Sequence, residues 1–180
     1  MLRICCRLFL KIFGWKIIGE NPKDKKCIAL FAPHTSIWDV VLGIVYNLAC
    51  GMKPGILIKE ETFFFPMNFI LRAFGGIPVN RKNPSVLFRQ IVRAFQNREN
   101  LILVISPEGT RAPNPQWKTG FYRMAQIAKV PVYLGFADFK TKTLGYMGEF
   151  PLTGDIEKDM RAIKEKYKDK EGLYKDKFKI

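Results

Sequence analysis

The chain alternates short apolar runs with longer stretches in which apolar residues recur every three or four positions. Apolar runs of this kind suit buried strands, and the longer spacing suits amphipathic helices. The predicted strands are 27–32, 55–59, 77–79, 101–105, 130–136 and 143–150. The predicted helices are 35–49, 66–74, one that begins at Asn83-Pro84, 120–129 and 155–167. Because strands and helices alternate, we expect an α/β fold: a single domain whose central sheet is mostly parallel or mixed and is flanked by helices.

The two ends of the chain have patterns of their own. On a helical wheel of residues 2–13, Arg3, Arg7 and Lys11 form one narrow basic stripe beside a broad apolar face. This pattern is typical of an amphipathic helix that lies in a bilayer interface, although a terminal helix packed on the core would also produce it. We therefore expect a membrane-surface helix in residues 1–20 and the main domain in residues 21–180. The lysine-rich end after Tyr167 is expected to be a frayed, solvated tail.

Composition adds a strong charge bias to this picture. The net charge is +14, which favours anionic partners such as nucleic acid, anionic bilayers, phosphorylated small molecules or acidic carrier proteins. Basic, aromatic-rich motifs of the RNA-binding kind are absent, so nucleic acid is not expected as a partner. Four cysteines without a CxxC pair and a single histidine make a metal site unexpected. No stretch is apolar and long enough to predict a transmembrane helix.

The histidine is the first candidate for chemistry. His34 follows a predicted buried strand and precedes a predicted helix, at the end of a strand where ligands bind in open α/β sheets. Asp39 follows five residues later, so an imidazole with a carboxylate in reach could act as an oriented general base. Ser36 and Asp39 also match a capping box, in which Asp39 merely caps the helix. Both interpretations remain open at this point.

A second candidate site is the loop directly after the strand 101–105. Glu108, Gly109, Thr110 and Arg111 follow one another there: a glycine lets backbone amides approach an anion, and an arginine offers a planar fork that matches phosphate. A plain turn with a surface arginine is the alternative. Three further basic residues could join an anion site, and these are Lys59, Arg81 and Lys118.

Taken together, these segments resemble the glycerolipid acyltransferases, and most of all the bacterial 1-acyl-glycerol-3-phosphate (lysophosphatidate) acyltransferases of the PlsC-like family. His34 and Asp39 match the H-x-x-x-x-D motif, and the segments 76–81, 107–111 and 130–132 are similar to the blocks that follow it in the family. The resemblance runs from about His34 to Val132. Pro33 stands where many members carry asparagine.

The resemblance implies an enzyme of phospholipid biosynthesis that needs no cofactor. His34 would deprotonate the hydroxyl of a lysophospholipid, most simply 1-acyl-glycerol-3-phosphate, which then attacks the thioester of acyl-CoA or of acyl carrier protein to give phosphatidate. Asp39 would orient His34. The residues Lys59, Arg81, Glu108, Gly109, Thr110, Arg111 and Lys118 would bind substrate. The enzyme would sit on the cytoplasmic face of an anionic membrane surface, as a peripheral or monotopic protein.

Four alternatives remain open at this level. The acceptor could be another lysophospholipid or an acylated amino acid. Ser36 could act as an acyl nucleophile in a covalent route. Water could replace the acceptor, which would make the protein a thioesterase. The chain could also be a non-catalytic basic protein that binds membranes.

Overall fold

Seven short apolar segments pair into one mixed sheet. A computed structural model describes residues 2–80 and 83–180. The strands are β1 (Lys16–Ile18), β2 (Lys26–Phe31), β3 (Pro54–Lys59), β4 (Gly76–Val79), β5 (Leu101–Ile105), β6 (Val132–Asp138) and β7 (Thr143–Phe150). Their order is β1-β7-β6-β2-β5-β3-β4. Neighbouring strands pair in parallel except β6 and β7, which are antiparallel. The α/β class and the mixed sheet are thus confirmed.

Helices cover both faces of this sheet. They are α1 (Leu2–Ile12), α2 (Ile37–Cys50), α3 (Met67–Ala73), α4 (Pro84–Asn97), α5 (Gly120–Ala128) and α6 (Ile156–Tyr167), with short 3₁₀ turns at Glu60–Thr62 and Lys175–Lys177. Successive side chains of β2 point to opposite faces, as a strand requires. Ile28 and Leu30 pack in the core formed with α4, α5 and α6, whereas Cys27 and Ala29 pack in the core formed with α1 and α2. The central strand is therefore buried on both sides.

The parallel strands determine where the loops meet. Because β2, β5, β3 and β6 run in the same direction, their carboxyl ends lie at one edge of the sheet. The loop that carries His34 follows β2, and the loop that carries Glu108 follows the neighbouring β5. The fold thus brings the two segments that carry candidate chemistry to the same edge.

The structure differs from the sequence-based expectation at both ends of the chain. Residues 16–18, expected to belong to a membrane-surface segment, form β1 and pair with β7. The expectation of a frayed tail after Tyr167 was wrong, because residues 168–180 are held by hydrogen bonds to two loops of the domain and to the last residue of β6. Among the described residues, no helix is long and apolar enough to cross a bilayer.

Helix α1 packs on the core with one side, as the second of its two interpretations predicted, whereas its place in a bilayer interface stays a prediction. Cys6 and Leu10 are buried in the core, so one side of the helix packs on the domain. Arg3 and Arg7 lie on this side, and the Nε atom of each donates to the carbonyl oxygen of Ala49, at 3.1 Å and 3.0 Å. Two of the three residues of the predicted basic stripe are therefore engaged within the protein. The apolar side chains of the opposite side remain exposed, and they are Leu2, Ile4, Leu8, Phe9, Ile12 and Phe13.

We predict that Arg3 and Arg7 stabilise the last turn of α2. The final carbonyls of a helix lack partners within it and carry partial negative charge, so two cations at Ala49 suit this position. Replacing both arginines with glutamine should lower the free energy of unfolding by about 1–2 kcal/mol, measured by urea denaturation. Lys11→Gln is the matched control because Lys11 is exposed. Equal stability of the double variant and the control would contradict this role.

Candidate active site

His34 lies three residues beyond the end of β2, at the carboxyl edge of the sheet. Its side chain is 18% exposed, and its Nδ1 atom is 3.4 Å from Oδ2 of Asp39, whose side chain is 1% exposed. Since Nδ1 faces the carboxylate, Nε2 is the ring nitrogen left for a substrate. The sequence-predicted pair is thus brought together by the loop between β2 and α2.

Asp39 also caps helix α2. Its Oδ2 atom accepts hydrogen bonds from the backbone N–H groups of Thr35 (2.6 Å) and Ser36 (2.7 Å), while the hydroxyl of Ser36 accepts from the N–H of Trp38 (3.2 Å). This is the capping box that the sequence indicated. The same Oδ2 atom faces His34, so one position of the Asp39 side chain both caps the helix and contacts the imidazole. Asp39 cannot move without disturbing the loop that carries His34.

Glu108 is a second buried carboxylate at the same loop. It is 4% exposed, and its Oε1 atom accepts a hydrogen bond from the backbone N–H of His34 at 2.8 Å. Burial raises the pKa of Glu108 to about 7, although backbone N–H groups, including that of His34, oppose part of the rise. The loop after β5 is thereby tied to the loop after β2. The sequence placed Glu108 in an anion-binding loop, whereas the structure engages its side chain with the backbone of His34.

Each of the two carboxylates retains one oxygen without a hydrogen bond. Oδ1 of Asp39 and Oε2 of Glu108 are both buried and have no partner among the described residues. Such atoms are uncommon in folded proteins, and a substrate site is one place where they occur. Since one carboxylate faces the ring of His34 and the other binds its backbone N–H, these atoms support this segment as the candidate active site.

Residues 109–113 of the loop after β5 are exposed. Gly109 has a φ of +67°, and a Cβ atom there would lie 2.8 Å from Cε of Lys118, so glycine allows Lys118 to pack against this turn. Thr110 and Arg111 are exposed, and the Thr110 hydroxyl accepts from the N–H of Ala112. An exposed turn with two cations can receive an anion. Anion binding by Gly109, Thr110, Arg111 and Lys118 stays a prediction.

Two other predicted residues stand apart from this cluster. Lys59 is the exposed last residue of β3, whose carboxyl end lies at the same edge of the sheet beside β5. Arg81 lies outside the described residues. No group of three or more His, Cys, Asp or Glu side chains within residues 2–80 and 83–180 is arranged to hold a metal ion.

Sequence reasoning missed one residue of the site. Thr35 is 2% exposed, donates its N–H to Asp39 and accepts at its hydroxyl from the backbone N–H of Tyr174 (3.2 Å). In the sequence, only its position directly after His34 indicated that Thr35 could belong to the site. Its partner is 139 residues away in the chain, a distance that no local pattern reveals.

The raised pKa of Glu108 predicts a dependence of stability on pH. Because the carboxyl loses its proton near pH 4.5 in the unfolded chain and near 7 in the folded one, its contribution to stability falls as the pH rises through this window. Glu108→Gln keeps an acceptor for His34 but cannot ionise. Relative to wild type, this variant should therefore gain up to about 3 kcal/mol between pH 4 and pH 8, measured by urea denaturation. Glu99→Gln is the control because Glu99 is exposed. If the free energy of unfolding changes with pH in the same way in all three proteins, the raised pKa of Glu108 is refuted.

Comparison with known proteins gives the family. The Acyltransferase family profile matches residues 16–133, well over half of the chain. A similar solved structure is that of the 1-acyl-sn-glycerophosphate (LPA) acyltransferase PlsC from Thermotoga maritima, with a TM-score of 0.60, 16% identity, and coverage of 94% of this chain and 79% of that chain. At this identity the likeness shows a shared fold. Curated protein sequences gave no match. The chain therefore belongs to the acyltransferase family and is an acyltransferase enzyme, as the sequence predicted.

Proposed function

We propose that the protein transfers a fatty acyl group from an acyl thioester to the free hydroxyl of a lysophospholipid, with 1-acyl-glycerol-3-phosphate as the first candidate acceptor and phosphatidate as its product. The observation that carries this proposal is the 3.4 Å approach of His34 Nδ1 to the buried carboxylate of Asp39 in an acyltransferase. The fold shared with a solved 1-acyl-sn-glycerophosphate acyltransferase supports the choice of acceptor.

Acyl transfer requires His34 to take up one proton from the acceptor hydroxyl and to pass it on to the departing sulfur. Asp39 holds the proton of His34 on Nδ1, so Nε2 can accept the proton of the acceptor hydroxyl. The hydroxyl oxygen attacks the thioester carbonyl carbon, and a tetrahedral intermediate forms. When the carbon–sulfur bond breaks, the imidazolium returns the proton to the departing sulfur. The products are an ester and a free thiol, and the enzyme is regenerated without a cofactor.

The acceptor phosphate would bind to the exposed turn after β5. Lys118 packs against Gly109, the residue after Glu108, and Arg111 follows two positions later in the same exposed turn. Since Glu108 accepts a hydrogen bond from the backbone of His34, this turn begins at the candidate base. An arginine fork binds phosphate in two places at once, which orients the acceptor as well as holding it. Lys59, at the end of β3, and Arg81 are further candidates for this role.

The acyl chain would need apolar surface close to His34. Helix α2 presents a partly exposed apolar stripe from its first turn towards its end, formed by Ile37, Val41, Ile44 and Leu48. The far part of this stripe borders a groove of about 350 Å³ between α2 and α3, which Met52 and Phe74 also line. A chain laid along this stripe would place its thioester at the N-terminal end of α2. The thioester could come from acyl-CoA or from acyl carrier protein.

We further propose that the enzyme works as a peripheral or monotopic protein on the cytoplasmic face of an anionic membrane, where its lipid acceptor resides. The exposed apolar side of α1 supports this, and Ile12 alone is 78% exposed. A second exposed apolar patch precedes and includes α3, where Phe64, Phe65 and Phe69 are 59%, 81% and 65% exposed. Large contiguous apolar patches of this kind mark membrane or protein contacts.

The transfer reaction itself gives the decisive test of function. Purified protein is incubated with acyl-CoA or acyl carrier protein thioester, with and without a panel of lyso-acceptors, while free thiol and lipid product mass are measured. We expect thiol release that depends on acceptor and a product heavier by one acyl group. Thiol release independent of acceptor would indicate a thioesterase, and liposome binding without thiol release would indicate a non-catalytic protein.

Variants of the pair test the mechanism. His34→Ala should lower kcat by about a hundredfold to ten-thousandfold while the protein stays folded, because it removes the base. Asp39→Asn should also lose most activity, since an amide can favour the wrong tautomer. Exposed Glu157→Gln on α6 serves as the control for loss of a carboxylate. Full turnover by folded His34→Ala would exclude the imidazole as the base.

Membrane attachment is tested by vesicle flotation beside a thermal melt. Phe9 and Phe13 are 37% and 55% exposed, so replacing both with serine should weaken flotation with neutral and anionic vesicles and leave the melting temperature nearly unchanged. Leu10→Ala is the contrasting variant, because Leu10 is 1% exposed and its loss should lower the melting temperature. Normal flotation by the double serine variant would show that α1 does not dock the enzyme.

A further inference from the structure

The end of the chain crosses the edge of the sheet that carries the candidate active site. We call residues 168–180 the C-terminal strap. On one side, the N–H of Phe139 donates to the carbonyl oxygen of Glu171 (2.9 Å), and the N–H of Glu171 donates to Oδ1 of Asp138 (3.1 Å). These contacts attach the strap to the carboxyl end of β6.

The other attachment lies on the loop that follows β5. The indole nitrogen of Trp117 donates to the carbonyl oxygen of Lys179 at 3.1 Å, and the ring of Phe178 packs 6.0 Å from the Trp117 ring. Trp117 is 6% exposed and belongs to the main core. Since β2 lies between β6 and β5, a strap held at both neighbours must pass the loop that follows β2.

Between its two attachments, the strap contacts the residue next to His34. The N–H of Tyr174 donates to the hydroxyl of Thr35 at 3.2 Å. Gly172 is buried against the same side chain: a Cβ atom on Gly172 would lie 2.5 Å from Oγ1 and 2.6 Å from Cγ2 of Thr35. The backbone of Gly172 has no positive φ, so contact with Thr35, and not backbone strain, is what opposes a larger residue there.

We propose that the C-terminal strap positions the catalytic base, acting on His34 through Thr35. Thr35 donates its N–H to the same oxygen of Asp39 that faces His34, so a shift of Thr35 disturbs the imidazole and its carboxylate together. This proposal rests on the proposed function of His34. Displacements near 1 Å can reduce turnover by about a hundredfold. Gly172 and Tyr174 are thus positioning residues, and Thr35 transmits their effect.

A set of four variants tests the strap. Gly172→Ala adds the Cβ atom that collides with Thr35, and Thr35→Ala removes the two Thr35 atoms that this Cβ would approach most closely, Oγ1 and Cγ2. In the double variant Thr35→Ala/Gly172→Ala, the nearest remaining atom of residue 35 is its Cβ, 3.1 Å from the new methyl group, a contact that a shift of a few tenths of an ångström relieves. Gly43→Ala in α2 is the matched control, because a Cβ atom there would meet nothing within 4 Å.

We expect Gly172→Ala to lower kcat by about tenfold to a hundredfold with little change in KM for the acceptor, since the strap contacts Thr35, which follows His34, and none of the residues proposed to bind the acceptor phosphate. Thr35→Ala alone should lose less. The kcat of the double variant should match that of Thr35→Ala and be higher than that of Gly172→Ala. The kcat of Gly43→Ala should equal that of wild type. Rescue of this kind distinguishes a collision with Thr35 from general loss of stability, which thermal melts measure in parallel.

Because the chain has one histidine, the imidazole also gives a readout that needs no substrate. The Cε1–H proton resonance of His34 should move in Gly172→Ala, return in the double variant and stay unchanged in Gly43→Ala. If wild type transfers no acyl group, the proposed function fails, and this resonance still decides whether the strap sets the position of His34. An unchanged resonance in Gly172→Ala, or a double variant no better than Gly172→Ala, would overturn the proposal.

Discussion

The burial of the Asp39 carboxylate is the constraint on which the site depends. One oxygen of this nearly inaccessible group accepts from Thr35 and Ser36 and faces the ring of His34. A buried carboxylate is costly unless donors surround it, and here the backbone at the N-terminus of α2 supplies them together with the favourable end of the helix dipole. These donors fix the loop between β2 and α2 around Asp39, and in this loop Nδ1 of His34 faces the carboxylate while Nε2 is left for a substrate. Capping of α2 and orientation of the imidazole are thus one structural requirement.

Parallel strands then gather the remaining parts around this loop. β5 delivers Glu108 to the backbone N–H of His34, and the strap from α6 reaches Thr35 on the next residue. Two segments far apart in sequence hold two adjacent residues, which restrains the loop that carries the imidazole through atoms other than Nε2. Rigid placement of this kind is what general-base catalysis requires, because the proton must move over a hydrogen-bond distance. The exposed cations of the turn after β5, Arg111 and Lys118, are the candidates for holding a substrate at this edge.

Local patterns predicted much of this arrangement. The apolar runs gave six of the seven strands within a residue or two, and the histidine–aspartate spacing gave the pair. The strand Lys16–Ile18 was missed because its three residues continue an amphipathic helix pattern and pair only with a strand more than 120 positions away. The strap was taken for a solvated tail because its lysines dominate the composition, whereas its attachments use backbone atoms, the close approach of Gly172 to Thr35 and the ring of Phe178, all with partners distant in sequence. In the sequence, Arg3 and Arg7 have the spacing of a surface stripe. Their hydrogen bonds to the carbonyl oxygen of Ala49, more than 40 residues away, appear only in the fold.

The central claim is that Asp39 presents His34 as a base through Nε2. Nitrogen-15 NMR of the only imidazole in the chain tests this directly, because the chemical shifts of the two ring nitrogens identify which one carries the proton in the neutral form. The account predicts a proton on Nδ1, directed at Asp39, and an unprotonated Nε2. A neutral imidazole protonated on Nε2 would contradict it, because the nitrogen that faces the substrate would then have no lone pair to accept a proton.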